Sequence, residues 1–412
     1  MNIFTCIALS FVVAVYLIET IANLLNLKNI SNVIPQEFEG FFDKEKYDKA
    51  QSYLKDNTKF AIFSSAFTLA LQIAFILAGG LNYTNSIAAS LGFGTVLTGL
   101  AFAGILYLIC EIADLPFLAY STFVIEEKFG FNKMNIKTFA SDFLKSLIIN
   151  GIILGATFSA LVWLFSNTAH YAWLYAFAAI TAFEIFVTFI YPIAVMPLFN
   201  KYTPLEDGEL KKFVEEYAKK ENFKMKGLFK MDNSKRSAKS NAFFTGFGRP
   251  RRIVLFDTLI QKHTAEELTS AAAHETGHFK LGHIIKQMLF SFASMGIMLI
   301  LSLFINEDWL YKAFLMNAQP VYAGVIFFAF LYAHISFALS TISSCLSRKY
   351  EYAADASAAT TYKHPQDMIN ALKKLSVDNF SNLRPHKLKV FLEYSHPPVL
   401  DRINAIKNIL ER

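Results

Sequence analysis

The chain has 412 residues, of which 54% are hydrophobic and only 17% are charged. Soluble domains average about 25% charged residues, so this composition excludes an ordinary soluble protein and indicates a membrane protein. The net charge of +6 is modest. The chain has no basic run interleaved with aromatic residues, so the sequence does not indicate nucleic-acid binding. Cys6, Cys110 and Cys345 lie far apart in apolar stretches, which is typical of buried residues rather than of a thiolate metal site or a disulfide framework.

Seven apolar segments are each long enough to cross a bilayer as a helix, which takes about 20 residues. They are residues 3–26, 60–81, 91–125, 143–166, 171–199, 284–305 and 319–345. The third is too long for one simple span and contains Pro116, which predicts a kink or an extension beyond the membrane. The first lacks the basic start and the small-residue cleavage site of a signal peptide, so we expect it to remain as a span.

The basic residues predict how these spans are oriented. Of the 39 Lys and Arg residues, all except Lys312 fall in segments that seven alternating spans place on one side. The positive-inside rule makes that side cytoplasmic. We therefore expect the N-terminus outside or in a lumen and the C-terminus in the cytoplasm. The expected location is a bacterial inner membrane or the endoplasmic reticulum membrane.

The spans divide the chain into four predicted regions. These are residues 1–199 (spans one to five with cytoplasmic loops), 200–283 (polar and cytoplasmic), 284–345 (spans six and seven) and 346–412 (helical, charged and cytoplasmic). The second region is expected to hold an amphipathic helix from Glu206 to Lys220, a strand pair and a further helix. A short amphipathic helix is also predicted within residues 35–57, where apolar and charged residues recur at helical spacing.

The most informative motif is H-E-x-x-H, which in this chain reads His274-Glu275-Thr276-Gly277-His278. Residues four apart lie on one face of a helix, so the two histidines can bind one metal ion. Glu275 directly follows the first histidine and is the candidate general base for a water molecule. The motif therefore predicts a zinc site that still needs a third protein ligand.

The helix that carries this motif has a well-defined predicted start. Thr264 and Glu267 match a capping box, in which each side chain accepts a hydrogen bond from the other residue's backbone. This start places the motif near the centre of the helix, where both histidine side chains are held rigidly. The alternative interpretation is a pair of solvated histidines on a surface helix.

A carboxylate pair on another helix supplies the missing ligand. Glu351 and Asp355 follow the seventh predicted span, on the same side as the H-E-x-x-H motif, and share one helix face. Glu351 is the candidate third zinc ligand, and Asp355 is the candidate acceptor that fixes the tautomer of a zinc histidine. Two histidines, one glutamate and a water form a catalytic rather than a closed structural arrangement. Without the H-E-x-x-H motif, the pair would be interpreted as an ordinary charged helix surface.

Four motifs in this order resemble the type I CAAX prenyl protease family of integral-membrane zinc metalloproteases. They are the S-K-R-S, S-N-A-F-F-T-G-F-G and R-I-V-L-F-D-T-L run within residues 234–259, the H-E-x-G-H motif, S-R-x-x-E-x-x-A-D from residue 347, and S-H-P-P-V-L-D-R-I from residue 395. The resemblance covers essentially the whole chain. It implies an all-α polytopic membrane protein with seven transmembrane helices around a chamber and a small α+β zinc metalloprotease domain at the cytoplasmic face.

The resemblance also implies an activity and a cofactor. The expected activity is zinc-dependent hydrolysis of peptide bonds near the C-terminus of prenylated, CAAX-type, or other membrane-associated peptides, with one Zn²⁺ per chain. Two alternatives remain: a general membrane-protein quality-control metalloprotease and a non-enzymatic channel or transporter that contains a metal. The expected partners are a peptide or protein substrate and the lipid bilayer, with no nucleic acid and no implied oligomer.

Further residues receive roles only through this resemblance. Asn241, Ala242 and Phe243 would form an edge strand that binds the substrate backbone by strand addition. His396 and Arg402 would lie near the zinc, where His396 would stabilise the oxyanion of the reaction intermediate. From the residues alone, a histidine before Pro-Pro is typical of a turn, and an asparagine such as Asn241 is typical of a turn or cap.

One position departs from the family pattern, and four acidic residues lie in unusual places. Relatives often have a histidine directly before the S-N-A run, where this chain has Lys239, so no role of that histidine is carried over. The carboxylates within or near predicted spans should face protein or water, because a lipid-facing charge is unfavourable. They are Glu19, Glu111, Asp114 and Glu184, which fit either a chamber lining or hydrogen bonds between helices.

Overall fold

The structure is a computed structural model that describes residues 2–168, 171–245 and 252–411. The side chains of Phe244, Thr245 and residues 298–302 lie outside this description as well. So does the G-F-G end of the S-N-A-F-F-T-G-F-G motif, which falls within residues 246–248.

The first half of the chain forms long apolar helices with short connections. They are α1 (Ile3–Lys28), α2 (Lys44–Leu77), α3 (Gly80–Ser90), α4 (Thr95–Tyr120), α5 (Glu127–Phe129), α6 (Ile136–Asn167) and α7 (Ala172–Ile190). A π-helical stretch, Ser121–Glu126, joins α4 to α5, and a second one, Tyr191–Val195, extends α7. The predicted third span therefore becomes a helix that continues through Pro116 and extends to Phe129.

The second half of the chain combines four short strands with further helices. The strands are β1 (Tyr202–Pro204), β2 (Gly227–Met231), β3 (Ala242–Thr245) and β4 (Arg252–Phe256). The helices are α8 (Glu209–Lys220), α9 (Asp257–Ile260), α10 (Ala265–Lys280), α11 (His283–Ser302), α12 (Asp308–Ala313), α13 (Val321–Tyr362), α14 (Pro365–Asp378), α15 (Lys387–Glu393) and α16 (Val399–Leu410).

Six helical segments in the described part of the chain are long and apolar enough to cross a membrane. They contain α1, α2, α4, α6, α7 and α13. Their outer faces carry large apolar side chains such as Phe63 and Ile152, which are 64% and 66% exposed. Lipid solvates such faces, whereas water does not. The predicted sixth span, residues 284–305, corresponds to α11, which is helical to Ser302 but is not among these six.

Two predicted helix boundaries differ from the structure. The short amphipathic helix expected within residues 35–57 is instead the first part of α2, which runs without interruption from Lys44 to Leu77. No proline or glycine separates its polar and apolar parts, so nothing ends the helix between them. The helix expected from Glu206 begins at Glu209, because Gly208 precedes it in an extended conformation.

The strands form one small sheet in the order β1-β2-β4-β3. The sequence predicted one strand pair, whereas the sheet has four strands. The central strands, β2 and β4, are parallel, and the outer strands β1 and β3 pair antiparallel with β2 and β4 respectively. Within the described residues, strand β3 lies at the edge and pairs only with β4, with Ala242 opposite Leu255. One side of the sheet packs on α8 and α10 through an apolar cluster that includes Val214, Ile253 and Leu268.

Helix α13 connects the membrane region to the rest of the protein. Its 42 residues give a length of about 63 Å, which is roughly twice the thickness of the hydrocarbon core of a bilayer. The apolar part of α13 lies in its N-terminal half, and Glu351 lies in the more polar C-terminal half. There the helix packs against α10 and α14 in a buried cluster that includes Ala273, Ala358 and Ile369.

Candidate metal centre and active site

Helix α10 begins where the capping box predicts. The hydroxyl of Thr264 accepts a hydrogen bond from the backbone of Glu267 at 3.3 Å, and the Glu267 carboxylate accepts one from the backbone of Thr264 at 3.1 Å. Two otherwise unpaired backbone donors are thereby satisfied. The helix then runs to Lys280, so both motif histidines lie inside it, on one face and one turn apart.

A glycine lets α10 approach α13 closely. A Cβ atom added at Gly277 would lie 3.1 Å from the carbonyl oxygen and 3.2 Å from the Cα atom of Ala354. Any larger residue would push the two helices apart. The glycine of the H-E-x-G-H motif therefore has a packing function. It lets the face of α10 that carries His274 and His278 lie against the face of α13 that carries Glu351.

The three predicted ligands converge on one point. Nε2 of His274 lies 3.1 Å from Nε2 of His278 and 3.3 Å from Oε2 of Glu351. Nε2 of His278 lies 3.2 Å from Oε1 of Glu351. Donors about 2.1 Å from a tetrahedral zinc ion are separated from one another by about 3.4 Å. The spacing of the three side chains therefore fits a tetrahedral ion with its fourth position open.

The charge state of Glu351 also suits a metal ligand. Burial opposes its ionisation, but the adjacent imidazoles of His274 and His278 and the guanidinium of Arg402 outweigh burial and hold the pKa of Glu351 far below its ordinary value. Its Oε2 atom is buried and makes no hydrogen bond within the described part of the chain. An ionised carboxylate oxygen with no hydrogen-bond donor is the state in which glutamate binds zinc.

Asp355 holds the opposite side of the first histidine. Its Oδ1 atom lies 2.8 Å from Nδ1 of His274, as the spacing of Glu351 and Asp355 predicts. Arg402 donates two hydrogen bonds to the same carboxylate, at 2.8 and 2.6 Å, and its Nη1 lies 3.6 Å from Oε2 of Glu351. Burial lowers the pKa of His274, but the two carboxylates outweigh burial and raise it to about 9 in the metal-free protein. A metal ion that binds here must therefore displace a proton from His274.

The remaining predicted residues surround a cavity of about 180 Å³ next to these ligands. Glu275, His396, Asn241 and Ala242 line it together with His274, Glu351 and Arg402. Phe243 is not among the lining residues, and its ring packs against the ring of Phe256 at 6.1 Å. The structure thus brings every predicted site residue to one place except the side chain of Phe243.

His396 is oriented towards the ligands. Its Nε2 lies 3.4 Å from Oε1 of Glu351, and its Nδ1 lies 3.0 Å from the hydroxyl of Ser395. If the hydroxyl donates to Nδ1, the imidazole proton is on Nε2 and points towards the ligand group. A neutral imidazole in this tautomer is a hydrogen-bond donor.

Lys239 does not take part in the ligand group. Its Nζ lies 2.9 Å from Oε2 of Glu126 and 2.7 Å from the hydroxyl of Tyr53. Tyr53 belongs to α2 and Glu126 to the π-helical stretch after α4. This lysine therefore anchors the segment before β3 to the membrane helices.

Three of the four acidic residues of the spans line two cavities. Glu19 and Asp114 line a cavity of about 570 Å³. Glu184 lines another of about 530 Å³ and accepts a hydrogen bond from Ser291 at 2.6 Å. Both predicted environments, a cavity lining and an interhelical hydrogen bond, therefore occur.

No sequence motif pointed to His283, which nevertheless contacts the ligand group. Its Nδ1 lies 3.0 Å from Nδ1 of His278, and its ring stacks on Tyr350 at 4.5 Å. Gly282 has a left-handed φ of +68° and turns the chain so that the first residue of α11 folds back on α10. The sequence feature that could have indicated this contact is a third histidine, five residues after the motif and directly after Gly282.

Comparisons with known proteins identify the family of this chain. A family model described as the CAAX prenyl protease N-terminal region, with five membrane helices, matches residues 23–201. A second, peptidase family M48, matches residues 204–410. The chain belongs to the CAAX prenyl protease family within peptidase family M48.

Individual relatives match most of the chain. The "Probable CAAX prenyl protease 1" of Schizosaccharomyces pombe is 35% identical, with 88% of this chain and 80% of the relative covered. A "CAAX prenyl protease 1 homolog" of Oryza sativa is 32% identical over 97% of this chain and 96% of the relative. The crystal structure of S. mikatae Ste24p matches with a TM-score of 0.91 and 32% identity, covering 98% of this chain and 99% of that one.

Membership in the CAAX prenyl protease family confirms the predicted class of protein. The chain is a membrane-embedded metalloendopeptidase. The match to the family's N-terminal region, residues 23–201, contains the spans with α2, α4, α6 and α7 and the end of α1. The M48 region contains the sheet, both motif helices and the ligand group.

Proposed function

We propose that this protein is a zinc-dependent endopeptidase that hydrolyses peptide bonds near the C-terminus of prenylated, CAAX-type, or other membrane-associated peptides. The observation that carries this proposal is the group of three ligand atoms, all within 4.8 Å of one another, from helices α10 and α13. It lies beside a general-base candidate, Glu275, and an edge strand, in a chain with membrane spans. Relatives that carry the name CAAX prenyl protease 1 support the substrate class.

The edge strand offers a place for the substrate backbone. The backbone N–H of Phe256 donates to the carbonyl oxygen of Asn241 at 3.1 Å, so Asn241 faces β4. Because directions alternate along a strand, the N–H and C=O of Ala242 point away from β4. The side-chain oxygen of Asn241 accepts a hydrogen bond from that N–H at 2.9 Å. An extended substrate would displace this contact and add a strand next to β3.

The cavity next to the edge strand suits an aliphatic side chain. Its large apolar lining residues come from α9, α10 and α14, and the polar side chains of His263, Glu267 and Ser270 also reach it. These apolar residues are Leu259, Leu268, Met368, Leu372 and Leu375. A C-a-a-X segment has two aliphatic residues directly after its prenylated cysteine. We assign this cavity to the aliphatic residue that follows the cleaved bond.

The chain's own residues account for the proton transfers. A zinc ion held by His274, His278 and Glu351 would make a water molecule acidic and polarise the peptide carbonyl. Glu275 then accepts the proton of the attacking water and donates it to the leaving amine. His396, with its proton on Nε2, donates a hydrogen bond to the carbonyl oxygen as negative charge develops there. Asp355 and Arg402 keep His274 in the tautomer that leaves Nε2 free.

The placement in the membrane follows from the same proposal. The Lys and Arg distribution supports seven spans, including α11, with the ligand group on the cytoplasmic side. The proposed regions are residues 1–199, 200–283, 284–345 and 346–412, and the membrane is a bacterial inner membrane or the endoplasmic reticulum.

A cleavage assay with the purified protein tests the proposal. Detergent-solubilised protein with equimolar zinc should cleave a farnesylated peptide that ends in C-a-a-X, and a chelator should abolish the cleavage. Glu275→Gln should retain equimolar zinc but lose at least about 100-fold in turnover, as expected when a general base is removed. Near-wild-type turnover in that variant would remove Glu275 from the mechanism.

The same assay separates the alternatives. Equal cleavage of farnesylated and unmodified unfolded substrates would favour a quality-control protease. Absence of chelator-sensitive cleavage across all peptides, with zinc bound, would contradict the proposed activity on these substrates.

A further inference from the structure

His283 is buried between the two helices that supply the metal ligands. Only 5% of its surface is exposed. On one side its Nδ1 lies 3.0 Å from Nδ1 of His278. On the other its ring is stacked on Tyr350, with the centroids 4.5 Å apart and an interplanar angle of 15°. Tyr350 directly precedes Glu351, so His283 contacts a ligand of α10 and the neighbour of the ligand of α13.

The short contact between the two Nδ1 atoms allows only certain proton positions. One nitrogen must carry the hydrogen and the other must accept it, because two protonated nitrogens repel one another at 3.0 Å. His278 binds a metal through Nε2, which must then be unprotonated. Its single proton is therefore on Nδ1, and His283 accepts the hydrogen bond there, with its own proton on Nε2.

We propose that His283 is a positioning residue for the metal centre: its Nδ1 accepts a hydrogen bond from Nδ1–H of His278 and so fixes the tautomer and ring orientation of this ligand. His274 receives the equivalent support from Asp355 at 2.8 Å. The two histidine ligands thus have different supports, a carboxylate for one and a neutral imidazole for the other. Such partners of ligating histidines typically contribute 10- to 100-fold in metal affinity.

The position of His283 follows from the local chain. Helix α10 ends with Lys280, and Gly282 adopts a φ of +68° that L-residues rarely take. This turn places His283 at the start of α11 and folds its ring back towards His278. The metal centre is therefore supported from the predicted sixth span as well as from α10 and α13.

Two matched substitutions test the hydrogen bond separately from the packing. In His283→Asn, the side-chain oxygen takes the place of Nδ1 and can still accept the hydrogen bond. In His283→Phe, the ring can still stack on Tyr350 but the acceptor is lost. Zinc affinity is measured on the purified full chain by competition with a chromophoric chelator, and the unfolding temperature is measured in the same detergent.

The expected result is a zinc affinity about 10- to 100-fold weaker in His283→Phe and within about threefold of wild type in His283→Asn. Wild-type affinity in His283→Phe would overturn the proposal. Equal weakening in both variants would also overturn it, because a packing role alone would then explain the effect.

The inference rests on the metal site of the proposed function, but the two fail in different ways. If the wild-type chain binds no zinc, the proposed function fails. If the wild-type chain binds zinc and His283→Phe binds it equally well, only the role of His283 fails.

Discussion

Two carboxylates one helical turn apart on α13 have different neighbours. Glu351 faces the two Nε2 atoms of His274 and His278, whereas Asp355 faces Nδ1 of His274 and the guanidinium of Arg402. Their spacing in the sequence was sufficient to predict that both share a helix face. His283 could not be predicted in the same way, because its position depends on the left-handed turn at Gly282 and on how α11 packs.

His263 is a buried histidine outside the ligand group, and its protonation at low pH is expected to reduce the stability of the fold. Its side chain is 1% exposed, and neither ring nitrogen makes a hydrogen bond within the described residues. Glu267 lies 3.3 Å and Asp378 3.9 Å away, and these carboxylates pair with Lys374 and Lys262 respectively. Burial lowers the pKa of His263 below 6.5, so the folded protein holds it neutral.

The sign of the pH dependence follows from that pKa. Below about pH 6.5 the unfolded chain takes up a proton at His263 that the folded chain does not, so stability falls by at most about 1.4 kcal/mol per pH unit from this site. We expect His263→Leu to reduce the loss of unfolding temperature between pH 7.5 and pH 5.5, measured by thermal unfolding in detergent. An unchanged difference between the two pH values would show that His263 does not contribute.

At the scale of elements, local patterns were good guides to helices and poor guides to the sheet. The capping box at Thr264 correctly marked the start of α10. The parallel pairing of β2 with β4 joins Gly227 to Arg252, two segments that are distant in the sequence, and no local pattern contains that information. The sequence predicted the polar start of α2 as a separate helix, because the hydrophobicity changes between it and the apolar span. The backbone nevertheless continues as one helix.

The edge position of β3 leads to a prediction for Ala242. Its N–H points away from β4, so Ala242→Pro removes a donor for the substrate without removing a bond inside the sheet, and edge strands tolerate proline. We expect KM for a peptide substrate to rise about 10-fold, consistent with the loss of one hydrogen bond, while zinc binding is unchanged. Ala242→Val, which keeps the N–H, is the control and should stay near wild type. An unaltered KM in the proline variant would argue against strand addition at β3.

At the scale of the whole molecule, polar contacts connect the M48 region to the N-terminal region of the chain. Lys239 binds Glu126 and Tyr53, and Lys407 of α16 pairs with Glu37 at 2.6 Å. Hydropathy alone located six of the seven predicted spans as helices long and apolar enough to cross a membrane in the described part of the chain, since each is a long uninterrupted apolar run. The polar contacts could not be predicted in this way, because each joins residues more than a hundred positions apart.

We expect helix α13 to make the metal centre sensitive to the thickness of the lipid bilayer. An α-helix does not stretch, so a bilayer that is too thin or too thick for its apolar half makes the helix tilt. Glu351 lies on the same helix, in the half that we expect to extend beyond the membrane, and a tilt would shift it sideways relative to His274 and His278 on α10. Peptidase activity in vesicles should therefore pass through a maximum as the acyl chains are lengthened, with zinc retention following the same curve. The thickness of the lipid bilayer would then change the rate of a reaction that takes place in water.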